Sequence, residues 1–291
     1  MFRESATIEI PATSANLGPG YDCLGLALSL SNRVTLKHLP GTVSIEPAHP
    51  MVAQVAALFF QQREVSVAPF AFSWTIEGEV PQSRGLGSSV TVRLGIMMAL
   101  NEMCGQPLNR ERLFEVCSES EGHPDNVGPA VFGGFVLSRN NTQWFRFPVQ
   151  PRLKVVVVIP DYEVQTTHAR AALPVSVPHG DAARNTANAC SLVAAFATGA
   201  YERMAGALDD FLHQPYRQHL VPDLFEIIDA GIRAGAIGGY LSGSGSTIAC
   251  LTTSDEPEAV RQAMLAALHK TGAGGIGHIL AANNDGAKIL E

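Results

Sequence analysis

Gly85-Leu86-Gly87-Ser88-Ser89 sets two glycines and two hydroxyls directly before a long apolar stretch, at the tail of Pro81-Gln82-Ser83-Arg84. The glycines permit positive φ and a close backbone approach, and the serines stand where a helix begins. Amide N–H groups at such a start, backed by about half a unit of positive dipole charge, bind anions. The chemistry on offer is phosphate binding by Gly85, Leu86, Gly87, Ser88 and Ser89, with Pro81 and Arg84 leading in. No Gly-Lys pair occurs anywhere in the chain, which excludes the G-x-x-x-x-G-K-[ST] nucleotide loop. For this segment alone, an ordinary helix start after a glycine turn competes on even terms.

Three further segments carry reactive side chains. In Pro11-Ala12-Thr13-Ser14-Ala15-Asn16-Leu17-Gly18-Pro19-Gly20-Tyr21-Asp22, Asn16 can donate and accept, and Asp22 can bind an ammonium or a metal. Either could equally cap a turn. Glu119-Ser120-Glu121-Gly122-His123-Pro124-Asp125-Asn126 packs three carboxylates, an imidazole and an amide into eight positions. Mg²⁺ takes few protein ligands, so one carboxylate at a helix end could complete its site with a serine hydroxyl and phosphate oxygens. Glu121 is the candidate and Glu119 the second choice; a solvated helix end and a loop histidine are the competing readings. Gly238 to Thr247 is a strand running into a second glycine-serine turn, which by itself reads as a tight hairpin.

The elements that must position these segments alternate. Strand patterns cover 7–10, 33–39 and 70–76, with a helical stretch over 52–62, and the glycine loop follows the last strand. From Val90 the spacing of Leu94, Met97, Met98, Leu100 and Met103 predicts a central, buried helix. Arg110 to Glu121 forms a second helix stopped by Gly122-His123-Pro124, and a short strand covers 134–138. Polar Asn140-Asn141, with Pro148 and Pro151, predicts a domain boundary near residue 150, dividing the chain into 1–150 and 151–291. Beyond it lie helices over 181–198, 203–212, 223–234 and 257–269 and strands over 155–159, 239–241, 247–251 and 277–281, so the fold class is α+β.

Composition closes several doors. With 291 residues, 46% of them hydrophobic, the chain can fill one large core or two medium ones. Its 20 Lys and Arg against 27 Asp and Glu give a net charge of −7, and no basic run tracks a phosphate backbone, so no nucleic-acid partner is expected. No stretch approaches the ~18 apolar residues of a spanning helix, and the first residues lack a secretory apolar core; a cytoplasmic protein without a membrane partner is expected. Five cysteines, Cys23, Cys104, Cys117, Cys190 and Cys250, lie scattered without C-x-x-C spacing and read as buried free thiols.

Taken in order, the four segments resemble the signature motifs of the small-molecule kinase superfamily that contains galactokinase, homoserine kinase, mevalonate kinase and phosphomevalonate kinase. P-A-T-S-A-N-L-G-P-G-Y-D over 11–22 is similar to the first motif in its homoserine kinase form, P-x-x-x-G-L-G-S-S over 81–89 to the phosphate loop, E-G-H-P-D-N-V over 121–127 to a homoserine kinase segment, and S-G-S-G-S-T over 242–247 to the third motif. The resemblance spans essentially the whole chain. It implies an N-terminal α/β domain with a left-handed βαβ phosphate loop and a ferredoxin-like C-terminal domain. Implied with it is transfer of a phosphoryl group from ATP, with Mg²⁺, to the side-chain hydroxyl of L-homoserine, a step of threonine biosynthesis.

The resemblance also carries residues. It implies Ser88 and Glu121 on Mg²⁺, Gly85 to Ser89 on the phosphates, and Asn16, Asp22 and His123 on the amino acid, Asp22 holding its ammonium. Arg170, in T-x-x-x-R, and Arg217, in H-Q-P-Y-R, are implied at the substrate carboxylate, which a guanidinium fork binds bidentately. Asn126 would orient the acceptor hydroxyl, with Asp125 left open as a base; a homodimer is the family expectation. Val90 and Thr91 replace the small residues usual after the serines, Arg93 is unexpected in that helix, and Ser246 stands where proline is common. A kinase of another small alcohol such as mevalonate, and a non-catalytic metabolite-binding relative, are the alternatives.

Overall fold

The computed structural model describes residues 2–40 and 49–290. Two antiparallel strands open the chain, β1 (Ser5–Ala15) and β2 (Leu24–His38), followed by α1 (Pro50–Phe60) and β3 (Phe72–Gly78). Next come α2 (Ser88–Met103), α3 (Arg110–Glu121), α4 (Val127–Phe132), β4 (Phe135–Ser138) and β5 (Trp144–Phe147). The chain continues through β6 (Lys154–Pro160), α5 (Thr166–Ala171), α6 (His179–Thr198), α7 (Gln214–Arg217) and α8 (Leu224–Arg233). It ends in β7 (Gly238–Leu241), β8 (Ile248–Thr252), α9 (Pro257–Lys270), β9 (Gly275–Ala281) and β10 (Lys288–Ile289).

Two sheets result, one of six strands ordered β10-β1-β2-β4-β5 with β3 also on β2, and one of four ordered β7-β8-β6-β9. Alternation along the strands decides what each face covers. In β6, Val155, Val157 and Ile159 enter a core shared with Leu24, Leu26 and Leu28 of β2 and with Leu192 and Phe196 of α6. Val156 and Val158 face the opposite way, into a core with α8 and α9. That two-sided burial is why the segment is apolar without interruption. A third core lies between the first sheet and α1 to α4, with Ile8, Ile10, Val34 and Leu36 under Leu94, Met97 and Leu100. The predicted central helix is α2, most of it buried.

Several sequence expectations need correction. The helix expected over 203–212 is only a 3₁₀ turn at Tyr201–Met204. Gly206 then turns the chain with φ 75°. The Asp210 carboxylate accepts from the amides of Leu212, His213 and Gln214, a local bonding pattern that competes with helix. Asn140-Asn141 forms the turn of the β4–β5 hairpin, where Asn140 Oδ1 accepts from the amides of Thr142 and Gln143. The last strand, β10, leaves the second half and pairs with β1. Of the cysteines, Cys117 and Cys250 are buried, but Cys23 and Cys104 are half-buried and Cys190 is exposed. No helix of the described residues is long and apolar enough to cross a membrane.

Candidate functional site

The phosphate-loop segment is shaped by two glycines that no other residue could replace. Gly85 (φ 75°) and Gly87 (φ 69°) are left-handed. A Cβ would meet Ser242 O at 2.1 Å from Gly85 and Thr13 Oγ1 at 2.1 Å from Gly87. The loop is thereby pressed against both of the other glycine-serine segments. Its carbonyls turn outward to them: Arg84 O accepts from Thr247 N (3.1 Å), Gly85 O from Ser242 Oγ (2.7 Å) and Leu86 O from Thr13 N (3.1 Å). Gly87 then caps α2, whose first amides have no partner within the helix. Leu86 is fully buried in the shared core. The Arg84 side chain turns the other way, donating to Pro160 O and Asp161 O and pairing with Glu163, so it anchors the loop to the end of β6. Pro81 lines neither of the two cavities at the loop.

Those two cavities meet at Ser83, Ser88 and Ser89. One, of about 150 Å³, is polar and gathers Asn16, Asp22, Glu121, His123, Asp125, Asn126, Arg170 and Arg217, the side chains named from sequence. These side chains come from four separate segments that converge on one cleft with the glycine loop. The other, of about 390 Å³, lies behind the loop between β3 and α2 and is walled by Trp74, Ile76, Val80 and Val92, with Asn32 and His49 at its polar edge. Sequence reading missed this second cavity. Trp74 and Ile76 alternate on an edge strand, where an apolar residue signals packing as readily as ligand contact.

At the mouth of α2, Ser89 Oγ donates to Glu121 Oε1 at 2.6 Å, so Ser89, next to the expected Ser88, makes the serine-carboxylate contact. Glu121 Oε2 lies 2.7 Å from Arg93 Nε in ion-pair contact, yet the two atoms are not aligned as a hydrogen bond and both are buried. Arg93 also donates to Ser120 Oγ at 2.7 Å, which accounts for an arginine in this helix. Glu121 lines the cleft beside Ser88 and Ser89, oxygen ligands of the kind Mg²⁺ takes, but its carboxylate is already shared between Ser89 and the Arg93 guanidinium. Glu119 does not line the cleft.

Across the cleft, Asn126 accepts from Thr13 Oγ1 at 2.7 Å and so sits between β1 and the phosphate loop. Asp125, 2% exposed, uses Oδ1 to accept from His123 Nδ1 (2.7 Å), Asn126 N (2.8 Å) and Asn126 Nδ2 (3.3 Å). Burial opposes charge on His123, but the hydrogen bond and the charges of Asp125 and Glu121 outweigh it and hold the imidazole pKa above its ordinary value. Asn16 is left-handed (φ 71°), and its amide donates to Gly243 O at 3.0 Å and accepts from Asp22 N at 3.0 Å. It holds the backbone at Asp22 and lines the cleft with an N–H and a lone pair still available.

Arg170 grips Asp22 bidentately, Nη1 to Oδ2 at 3.0 Å and Nη2 to Oδ1 at 2.8 Å. Arg217, 2% exposed, is fixed by Ala169 O (3.0 Å), Gly243 O (3.1 Å) and His213 Nδ1 (3.2 Å) and has no ion-pair partner among the described residues. Burial weakens its hold on its proton, and Arg170 adds to that. The neighbouring opposite charge, Asp22, is already gripped by Arg170, which leaves the buried Arg217 guanidinium suited to an anion.

Comparison with known proteins gives the family. The family model for the GHMP kinase N-terminal domain matches residues 51–134 and that for the GHMP kinase C-terminal domain residues 176–270. A homoserine kinase of Synechococcus sp. is 38% identical over 300 aligned positions, covering 98% of this chain and 97% of its own. One from Carboxydothermus hydrogenoformans is 38% identical with 83% of each chain covered. The crystal structure of homoserine kinase from Cytophaga hutchinsonii superposes with a TM-score of 0.89 at 26% identity, covering 100% of this chain and 98% of that one. A mevalonate kinase structure, at 15% identity and a TM-score of 0.72, shares the fold. The chain belongs to the GHMP kinases, and within them to the homoserine kinase family.

Proposed function

We propose that this chain transfers the γ-phosphoryl group of ATP to the side-chain hydroxyl of L-homoserine, giving O-phospho-L-homoserine and ADP, with Mg²⁺ held by Glu121 and a serine of the pair Ser88-Ser89. The observation that carries the reading is the meeting of two cavities at Ser88 and Ser89, one apolar and one lined by a charge set complementary to a zwitterion. The base and ribose occupy the cavity against Trp74, and the triphosphate runs over the amides of Gly85 to Ser89. The acceptor lies in the polar cleft, its ammonium at Asp22 and its carboxylate at Arg170 and Arg217.

Phosphoryl transfer through a loose transition state asks mainly for alignment and for donors around the equatorial oxygens. The α2 amides supply donors that are already oriented, so little reorganisation is needed as charge shifts. When bound, Mg²⁺ neutralises phosphate charge. Asn126, fixed by Thr13, orients the acceptor hydroxyl. Asp125 has one oxygen committed to three donors, which favours a role in holding His123 and Asn126 over a role as base. On that account Asp125→Asn retains turnover within about tenfold, while Asn126→Ala loses about a hundredfold in kcat.

Mevalonate carries a carboxylate but no ammonium, so it offers Asp22 no cation to take in place of Arg170. Incubation with Mg-ATP and homoserine, mevalonate, shikimate or galactose tests the reading by ADP release. Homoserine-dependent ADP is expected; release with mevalonate alone would reassign the acceptor. The reading includes a cytoplasmic homodimer, which sedimentation equilibrium checks.

A further inference from the structure

Tyr21 has no role in the account so far, yet it touches both guanidiniums of the cleft. Its hydroxyl oxygen accepts from Arg170 Nη1 at 2.9 Å, and the Arg170 and Arg217 guanidiniums lie 5.7 and 5.2 Å from its ring centroid. The His213 ring packs beside it at 5.3 Å. An aromatic face attracts each cation, which offsets the repulsion of two like charges brought side by side.

The two arginines are held unequally. Arg217 is tied to backbone carbonyls and to His213, contacts that a ligand leaves in place. Among the described residues, Arg170 donates side-chain hydrogen bonds to Asp22 and Tyr21 alone. An ammonium arriving at Asp22 competes for that carboxylate and loosens Arg170. Tyr21 then remains as its fixed partner. Burial, and the neighbouring Asp22 charge, raise the Tyr21 pKa and keep the phenol protonated. Since the phenol oxygen accepts from Arg170, its own proton is free for a third partner, and a carboxylate lying between the guanidiniums is within the same cleft.

We infer that Tyr21 is the positioning residue of the carboxylate receptor: it keeps Arg170 in register with Arg217 and donates a hydrogen bond from its phenol O–H to the substrate carboxylate, while Asp22 passes from Arg170 to the substrate ammonium. This inference rests on the proposed amino-acid acceptor.

The test is Tyr21→Phe, which keeps the ring and removes the hydroxyl, with its thermal midpoint measured beside the wild type. At saturating Mg-ATP the homoserine KM rises about five- to twentyfold, the size of one lost hydrogen bond to a charged group, with kcat within about twofold. Inhibition by 3-aminopropan-1-ol, which keeps the ammonium and hydroxyl but lacks the carboxylate, is the same for both proteins. A homoserine KM within twofold of wild type, a fall confined to kcat, or an equal weakening of 3-aminopropan-1-ol would each overturn the assignment. Failure of the wild type itself to form ADP with homoserine is a different result, and overturns the acceptor rather than the role of Tyr21.

Discussion

The two ends of the cleft are built by different means. The phosphate end is mostly backbone: left-handed glycines at 85 and 87, outward carbonyls, and the free amides of α2. The acceptor end is mostly side chain, with Asp22, His123, Asp125, Arg170 and Arg217 drawn from four segments: His123 is paired with Asp125, Arg170 with Asp22, and Arg217 is fixed by His213 and backbone carbonyls. A triphosphate presents many equivalent oxygens, and a row of amides serves all of them. A small zwitterion presents two charges at fixed separation, and only directed side chains discriminate it from an alcohol or a simple acid.

This contrast is sharpest under substitution. Gly87→Ala puts a Cβ at 2.1 Å from Thr13 Oγ1 on a left-handed residue, so it distorts the loop where α2 begins. Loss of kcat/KM for ATP by on the order of a thousandfold, with the variant still folded by circular dichroism, is expected. Glu121→Gln comes next, with about a hundredfold loss in kcat and weaker Mn²⁺ binding in titration calorimetry. Arg170→Lys keeps a charge but loses the fork, and the homoserine KM rises about tenfold at near-constant kcat, leaving the ATP KM unmoved.

The smallest effect is on stability. His213 is buried; burial, helped by Arg217 and opposed by Asp210, pushes its pKa down to about 4. An unfolded histidine titrates near ~6.5, so between those values the unfolded chain binds a proton that the folded chain does not. Stability therefore rises with pH across that window and is lost as pH falls from about 6.5 toward 4. Urea unfolding of His213→Gln between pH 6.5 and 4.5 shows a shallower slope than wild type; an identical slope would contradict this assignment.

Legibility in the sequence followed the same division. The phosphate loop is one contiguous stretch whose glycines announce their own backbone conformation, and α2 and β6 declare burial through period and apolarity. Arg170 and Arg217 carry no such signature, because nothing local distinguishes a receptor arginine from a surface one; family resemblance alone supplied them. The hydrogen bond from Ser89 to Glu121 turns on one helical position, which spacing does not resolve. Trp74 was silent because an apolar edge-strand residue is ordinary. The expected helix over 203–212 failed through side-chain capping by Asp210, a local competition that helical periodicity ignores.

The central claim is that the apolar cavity and the charged cleft serve one transfer reaction across Ser88 and Ser89. Phosphorus NMR of the protein incubated with Mg-ATP and L-homoserine tests it directly. The account predicts loss of the γ-phosphate resonance matched by a new phosphomonoester signal coupled to the homoserine side-chain methylene. ATP turnover yielding only inorganic phosphate, or no turnover with homoserine present, would contradict it.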